Sequence, residues 1–253
     1  MSTQSRPTSD GARSMALAAA IIAAWLVIHV GGIFFFDLRT DSAVLAVALV
    51  LVQAWLSTGL FIIAHDCMHG SLAPGRRRLN TAVGSACLSA YAGLSYAALY
   101  PKHHQHHAAP GTAADPDFHP GSPRRPFAWF VRFFRGYYTH GQLVRITVVA
   151  GLYLLVGAAL INIVLFWAVP ALIALTQLFV FGTYLPHRHD DNGFADEHNA
   201  RNLRLSSYAS LATCFHFGGY HHEHHLSPAT PWWRLPQVRP RDAGGPRVTA
   251  TST

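Results

Sequence analysis

Charged residues are scarce in this sequence. Asp, Glu, Lys and Arg make up 12% of the 253 residues, against about 25% in a typical soluble domain. The charges that are present lie almost wholly outside a few long apolar stretches, and apolar residues make up 51% of the chain. Because a soluble protein of this length needs a charged surface, the composition argues against a soluble domain and indicates an integral membrane protein.

Cysteine and lysine are scarce as well. The three cysteines, Cys67, Cys87 and Cys214, are odd in number and widely spaced, which excludes a disulfide framework and a cysteine-rich zinc site. Lysine occurs once, at Lys102, and the other basic residues are arginines that flank the apolar stretches. The net charge of +7 therefore fits the positive-inside bias of membrane proteins better than a nucleic-acid-binding face.

The apolar stretches predict an all-α integral membrane fold with two transmembrane helical hairpins, and therefore four spans. Residues 15–36 and 42–64 are each long enough to cross a hydrocarbon core of about 30 Å. Residues 143–186 are long enough for two crossings, with a turn expected near Trp167 and Pro170. We expect one membrane domain over residues 15–237, a disordered cytoplasmic tail at 1–14 and a disordered C-terminal tail at 238–253.

The arginines predict which side of the membrane each segment faces. In this topology every Lys and Arg except Arg39 lies on the cytoplasmic side, including the run Arg76, Arg77 and Arg78. Residues 81–100 are apolar enough for one crossing, but histidine clusters on both sides of them would share a site only if the stretch returns to the same side. We therefore expect in-plane or re-entrant segments, one of them an aromatic helix near 127–138.

Histidine is the abundant residue of interest, with 17 in the chain. Three clusters stand out: His65 and His69; His103, His106 and His107; and His221, His224 and His225. On a helix, residues at i, i+3 and i+4 project from one face about 5–6 Å apart, so these rings can converge on one or two metal ions. Imidazole suits iron, zinc, copper and nickel. Each cluster adjoins an apolar segment, which predicts a cytoplasmic histidine-rich metal-binding cap.

Two other classes of membrane protein fit this sequence less well. A metal transporter should carry polar ligands inside its spans, and the predicted spans offer only His29, Gln53, Asn162 and Gln177. A haem-binding electron carrier needs paired histidines on facing helices rather than His-x-x-His-His triplets. Soluble di-iron bundles use Glu-x-x-His pairs, whereas Glu223 is the only glutamate in any of the clusters.

Four stretches carry a resemblance to a known family. They are His-Asp-Cys-Met-His-Gly-Ser-Leu at 65–72, Lys-His-His-Gln-His-His-Ala-Ala-Pro-Gly at 102–111, Phe-Gly-Thr-Tyr-Leu-Pro-His-Arg at 181–188, and Tyr-His-His-Glu-His-His-Leu-Ser-Pro-Ala-Thr-Pro-Trp-Trp-Arg-Leu-Pro at 220–236. In order and spacing these resemble the membrane-bound fatty acid desaturase and hydroxylase superfamily. The residues flanking the boxes resemble, more narrowly, the bacterial β-carotene ketolases, across about residues 15–237.

The resemblance implies a non-haem di-iron oxygenase of the bacterial inner membrane. Its metal ligands would be His65, His69, His103, His106, His107, His221, His224 and His225, with His187 as a ninth and His198 as the rival candidate. Asp66, Asp115 and Asp117 would accept the second N–H of ligating imidazoles and fix their tautomers, with helix capping or loop solvation as the alternative. We place Asp66 and Asp117 among the catalytic candidates.

The resemblance also implies the reaction. It is O2-dependent oxidation of the C4 methylene of β-ionone rings to a ketone by two successive hydroxylations, in β-carotene and related carotenoids. Electrons would come from ferredoxin or an equivalent reductase. Carotenoid ring 3-hydroxylation and fatty acyl desaturation are the alternatives within the superfamily, and the stretch at 181–188 favours the ketolase over both.

Overall fold

A computed structural model describes residues 7–191 and 193–238. Within these residues all regular secondary structure is helical, with no strand. The first two long helices are α1 (Pro7–Phe34) and α2 (Ala43–Met68), joined by a turn at Asp37–Asp41 in which the Asp37 N–H donates to the Asp41 carboxylate at 2.8 Å. The predicted first hairpin is therefore present as two antiparallel helices in contact.

The first helix begins at Pro7 rather than near Met15, so residues 7–14 are helical and not disordered. Contacts from the far end of the chain explain the difference. The Trp233 indole N–H donates to the Ser14 hydroxyl at 2.9 Å, the Arg13 guanidinium lies over the Trp233 ring, and Arg234 pairs with Asp10. Residues 1–6 and 239–253, which make up the rest of the predicted tails apart from Val238, lie outside the described residues.

Two shorter helices follow and form a sharply bent pair. Helices α3 (Arg77–Ala92) and α4 (Tyr96–Ala108) meet at an angle of 102°. Gly93 ends α3 in the left-handed conformation, at φ 62°, which glycine adopts without steric cost. The Trp167 indole N–H donates to the Ala90 carbonyl at 3.0 Å. The bend thus packs against a later helix, while α4 returns towards the end of α2.

The third part of the fold is an aromatic helix and a helical pair. Helix α5 (Pro126–Tyr137) is the expected aromatic helix, and α6 (His140–Leu155) is followed by α7 (Leu160–His187). The turn between α6 and α7 lies at residues 156–159, so the turn predicted near Trp167 and Pro170 is wrong. Pro170 lacks an N–H but sits inside α7, directly after a π-helical segment, Val164–Ala168, whose wider turns accommodate it.

Three helices of the described residues, α1, α2 and α7, are long and apolar enough to cross a membrane, and the bent pair would make four. Helix α6 has 16 residues, short of the about 20 that a full crossing needs. Large apolar side chains on these helices face outwards, as at Val27 and Val44, which are 72% and 79% exposed. This surface is typical of lipid contact. The all-helical architecture with apolar candidate spans is confirmed, and the two-hairpin arrangement and the cytoplasmic position of the cap stay predictions.

The chain after α7 forms a cap over the end of the bundle. Residues 188–191 and 193–206 are irregular. They are followed by α8 (Ser207–Cys214), α9 (His221–Leu226) and two short helical turns, Trp232–Arg234 and Leu235–Val238. Phe215 anchors the cap by stacking on Trp55 of α2, with ring centroids 4.5 Å apart. Gly59 makes this contact possible, because a Cβ there would lie 2.8 Å from the Phe215 ring. The cap therefore holds α9 against the ends of α2 and α4.

Candidate metal centre

Nine buried or half-buried histidines converge where α2, α4, α7 and α9 meet. Their ring nitrogens form two groups, within each of which the facing atoms lie within 4.8 Å of one another. The first histidine group is His65, His69, His103, His107 and His224. The second histidine group is His106, His187, His221 and His225. The structure thus brings together all nine histidines named from the sequence as candidate ligands.

Helix periodicity explains how each triplet divides between the groups. On α4, His103 and His107 are four residues apart and point to the first group, while His106 points to the second. On α9 the division is reversed: His221 and His225 point to the second group and His224 points to the first. Each His-x-x-His-His motif therefore supplies two side chains to one group and one to the other.

The Nε2 atoms of both groups face one another at short distances. In the first group, Nε2 of His69 lies 2.7 Å from Nε2 of His103. In the second, Nε2 of His221 lies 2.8 Å from that of His187 and 3.1 Å from that of His225. The lone pairs of several ring nitrogens thus point at a common centre, away from solvent. A cation at that centre would stabilise this arrangement.

The outer ring nitrogens fix the orientation of two of these imidazoles. The Nδ1–H of His187 donates to the Asn199 carbonyl at 2.8 Å, and that of His106 lies 3.0 Å from both carboxylate oxygens of Asp115. A proton held on Nδ1 leaves the lone pair on Nε2, directed at the centre. Asn199 was not foreseen from the sequence, because a backbone carbonyl leaves no signal in residue type.

The three aspartates take different places. Asp115 is the direct partner of His106 and also accepts the N–H groups of Gly111 and Asp117, at 2.7 and 2.8 Å. The carboxylate of Asp117 lies 3.9 Å from Nδ1 of His106 and instead accepts the Tyr137 hydroxyl.

Asp66, on α2, is also more distant from its neighbouring imidazole than expected. Its Oδ1 lies 3.9 Å from Nδ1 of His65, beyond hydrogen-bond distance, while its Oδ2 accepts the N–H of Trp232 at 3.2 Å. The sequence expectation that Asp66 and Asp117 hold imidazoles directly is thus not what the geometry shows. His65 points into the first histidine group, and the next residue along α2, Asp66, points elsewhere. The Asp66 carboxylate instead binds the C-terminal segment to α2 through the N–H of Trp232.

Burial shifts the pKa values of the three histidines on α9 and of Asp115 and Asp117. It lowers the pKa of His221, His224 and His225 well below its usual value, and nearby imidazoles lower it further. These rings are therefore neutral and able to donate lone pairs near pH 7. Burial raises the pKa of Asp117 to about 6. Burial also acts to raise the pKa of Asp115, but the hydrogen bond and charge of His106, together with the backbone N–H groups of Gly111 and Asp117, outweigh it and hold that pKa below its usual value.

The donor set fits a pair of metal ions. Both groups consist of imidazoles alone, and iron, zinc, copper and nickel all accept such ligands. Buried Nδ1 atoms of His65, His221, His224 and His225 have no protein partner among the described residues, so these rings are not fixed by hydrogen bonds on that side. The cysteines do not enter either group, which agrees with the absence of a thiolate motif.

An apolar cavity of about 540 Å³ leads away from the histidines. Histidines of both groups line one end, and side chains of α2, α6 and α7, among them Phe61, Ile146 and Trp167, line the rest. Leu160 and Leu172 also line it and are 61% and 58% exposed at the outer surface of the bundle. The cavity therefore connects the metal-binding end with the apolar surface between α6 and α7.

The remaining histidines lie outside both groups. The ring centroid of His198 is 6.1 Å from that of His225, and His198 contributes no nitrogen to either group. His222 pairs with Asp196 at 2.7 Å. His29 stacks on Trp25 within the bundle, with centroids 4.2 Å apart, and its Nε2 lies 3.1 Å from the Tyr153 hydroxyl. His29 therefore packs within the helix bundle and takes no part in either histidine group.

Comparison with known proteins agrees with this geometry. The sequence pattern of the family described as fatty acid desaturase matches residues 40–148 and 142–247. The chain belongs to this family.

Within the family, its relatives are carotenoid ketolases. A β-carotene ketolase of a Paracoccus strain is 48% identical over 94% of this chain and 98% of its own length, and one of a second Paracoccus strain is 47% identical over 92% and 94%. A zeaxanthin 4-ketolase of Chlamydomonas reinhardtii is 38% identical over 92% of this chain and 55% of its own length. The resemblance to bacterial β-carotene ketolases is thereby confirmed.

Proposed function

We propose that this protein is a carotenoid ketolase that oxidises the C4 methylene of β-ionone rings to a ketone. β-Carotene would give echinenone and then canthaxanthin, and 3-hydroxylated rings would react in the same way. The observation that carries the proposal is the apolar cavity between the two histidine groups and the outer surface at α6 and α7. A β-ionone ring is apolar and bilayer-soluble, so this cavity suits it, and the relatives' names indicate the same substrates.

Two iron ions would complete the site, one in each histidine group. When bound, they would supply the activation of dioxygen that oxidation of an apolar, allylic C–H bond requires. The residues of the chain would hold and orient that centre. Asp115 and the Asn199 carbonyl keep His106 and His187 in the ligating tautomer, and the neutral cap histidines donate without first losing a proton.

The overall reaction fixes what else is needed. Each round consumes O2, two electrons and two protons; one oxygen atom enters the ring as a hydroxyl and the other leaves as water. A second round at the same carbon gives a geminal diol, which loses water to form the ketone. We propose that a ferredoxin-type donor supplies the electrons. The cavity walls would position C4 and exclude bulk water.

The proposed setting is the bacterial inner membrane, with the histidine cap on the cytoplasmic side. The distribution of arginine supports this orientation. The N-terminal end of α1 contacts Trp233 of the cap, and Nε2 of His69 contacts that of His103, so α3 and α4 would enter the membrane and return. The two-hairpin topology and a membrane domain over residues 15–237 are part of this proposal.

Pigment analysis tests the function. In a bacterium that accumulates β-carotene, the protein should produce echinenone and canthaxanthin, and His106→Ala and His224→Ala, one from each histidine group, should abolish both products. Formation of only 3-hydroxylated carotenoids, or of only altered fatty acyl chains, would assign a different reaction of the same superfamily. Unchanged pigment in membranes supplied with ferredoxin and its reductase would contradict the proposal outright.

A further inference from the structure

The cavity wall has one polar site beside the histidines that metal binding does not account for. Asp117 and Tyr137 both line the cavity, next to His106 of the second histidine group. Most of the other lining side chains away from the histidines are apolar. A carboxylate and a phenol placed together in an apolar wall can bind a substrate group that forms hydrogen bonds with them.

The surrounding structure holds both side chains in place. The Asp117 N–H is bound by Asp115, and its carbonyl accepts the indole N–H of Trp129, which is fully buried. Lys102 lies over the Tyr137 ring, 5.0 Å from the centroid, and donates to the Gly136 carbonyl. Because Asp115 takes the N–H of His106, the Asp117 carboxylate is left free of that role. The Asp117–Tyr137 pair is therefore held in position by its neighbours and is not a surface contact.

The hydrogen bond within the pair decides what it can recognise. Tyr137 donates its only hydroxyl proton to Asp117, so the phenol oxygen and the second carboxylate oxygen can only accept. A group that donates a hydrogen bond, such as an alcohol, is bound by this pair. A ketone has no donor and gains nothing from it.

We propose that Asp117 and Tyr137 form a binding subsite for a hydroxyl group on the ring. The inference rests on the proposed function. The alcohol left by the first round lies on the carbon nearest the metal centre, so the subsite would retain it for the second round. The ketone formed next cannot donate, and it would be released. A 3-hydroxyl on a ring hydroxylated beforehand offers the same chemistry one carbon away.

The test compares three substrates in membranes that carry wild-type protein, Tyr137→Phe or Asp117→Asn. The substrates are β-carotene, a 4-hydroxylated ring and a 3-hydroxylated ring, with the ferredoxin system supplied. Tyr137→Phe should slow conversion of a hydroxylated ring about three- to tenfold relative to oxidation of β-carotene, the effect of one hydrogen bond to a neutral partner. Starting from β-carotene, 4-hydroxylated product should accumulate over ketone by a similar factor. Asp117→Asn, which places an amide N–H in the subsite, should act in the same direction.

Because the alcohol-to-ketone ratio is measured within one sample, it does not depend on how much folded protein each variant yields. Tyr208→Phe is the control; that side chain is 88% exposed on α8 and should keep the wild-type ratio. A loss with either hydroxylated substrate supports the subsite and identifies which hydroxyl it binds. An equal loss with all three substrates, or an unchanged ratio in both variants, overturns it. If wild-type protein leaves β-carotene unconverted, the proposed function fails instead.

Discussion

Replacing Asp115 by Asn should weaken metal binding in the second histidine group selectively. The Asp115 carboxylate accepts the Nδ1–H of His106 and two backbone N–H groups, those of Gly111 and Asp117. An asparagine has one acceptor oxygen, and its NH2 group would face at least one of these donors. Loss of a partner behind a ligating imidazole typically lowers metal affinity about 10- to 100-fold, which corresponds to about 1.4–2.8 kcal/mol.

The assay is a chelator titration of the purified, iron-loaded protein, with the iron remaining per chain measured at each step. Asp115→Asn should release one iron at a chelator activity about 10- to 100-fold lower than wild type does, and the other iron at the wild-type value. Asp191→Asn is the matched control, because the Asp191 side chain is 90% exposed and pairs with Arg124 on the surface. Release of both irons together, or an unchanged titration, would refute the assignment of His106 to a separate group.

Three further predictions concern the ninth ligand, a close packing contact and the topology. His187→Ala should lose one iron per chain and all ketolase activity, whereas His198→Ala should keep both; the reverse result would make His198 the ligand. Gly84→Ala should destabilise the protein by about 1–3 kcal/mol, because a Cβ at this position would overlap the Tyr96 ring. The temperature of unfolding in detergent should fall, and an unchanged temperature would contradict this packing. Reporter fusions after Gly70 and after Gly111 should report the same side of the membrane, and opposite sides would mean that α3 and α4 together cross it.

The histidine spacing was informative because helix periodicity is a local property. Residues four apart share a face wherever the helix lies, so His65 with His69, and His103 with His107, were expected to act together. How the triplets divide between two centres was not predictable. That division depends on the rotation of α4 and α9 about their axes, which is set by packing such as that of Phe215 against Gly59.

Helix ends and turns were harder to predict than helix existence. Apolar length shows that a segment can span a membrane, but it does not show where the helix starts, because the start at Pro7 depends on contacts from Trp233 and Arg234. Pro170 suggested a turn because proline breaks a regular α-helix. The π-helical segment before it removes that conflict, and the turn lies earlier, at 156–159.

The partners of the aspartates could not be read from proximity in sequence. Asp66 adjoins His65 along the chain, but neighbouring residues on a helix point in different directions, and its carboxylate binds the N–H of Trp232. Asp115 and Asp117 are equally close to the second box in sequence, and only the loop geometry decides that Asp115 holds His106. Asp117 is thereby left at the cavity wall.

The central claim is that two histidine groups in one chain hold two metal ions that oxidise a carotenoid ring. An experimental structure of the active, iron-loaded protein, with the metals located by anomalous scattering, tests it most directly. We expect two ions bound by nitrogen alone, about 4–6 Å apart, which is more than the about 3.5–4 Å of bridged two-metal sites. A single ion, or Cys67 among the ligands, would contradict the account.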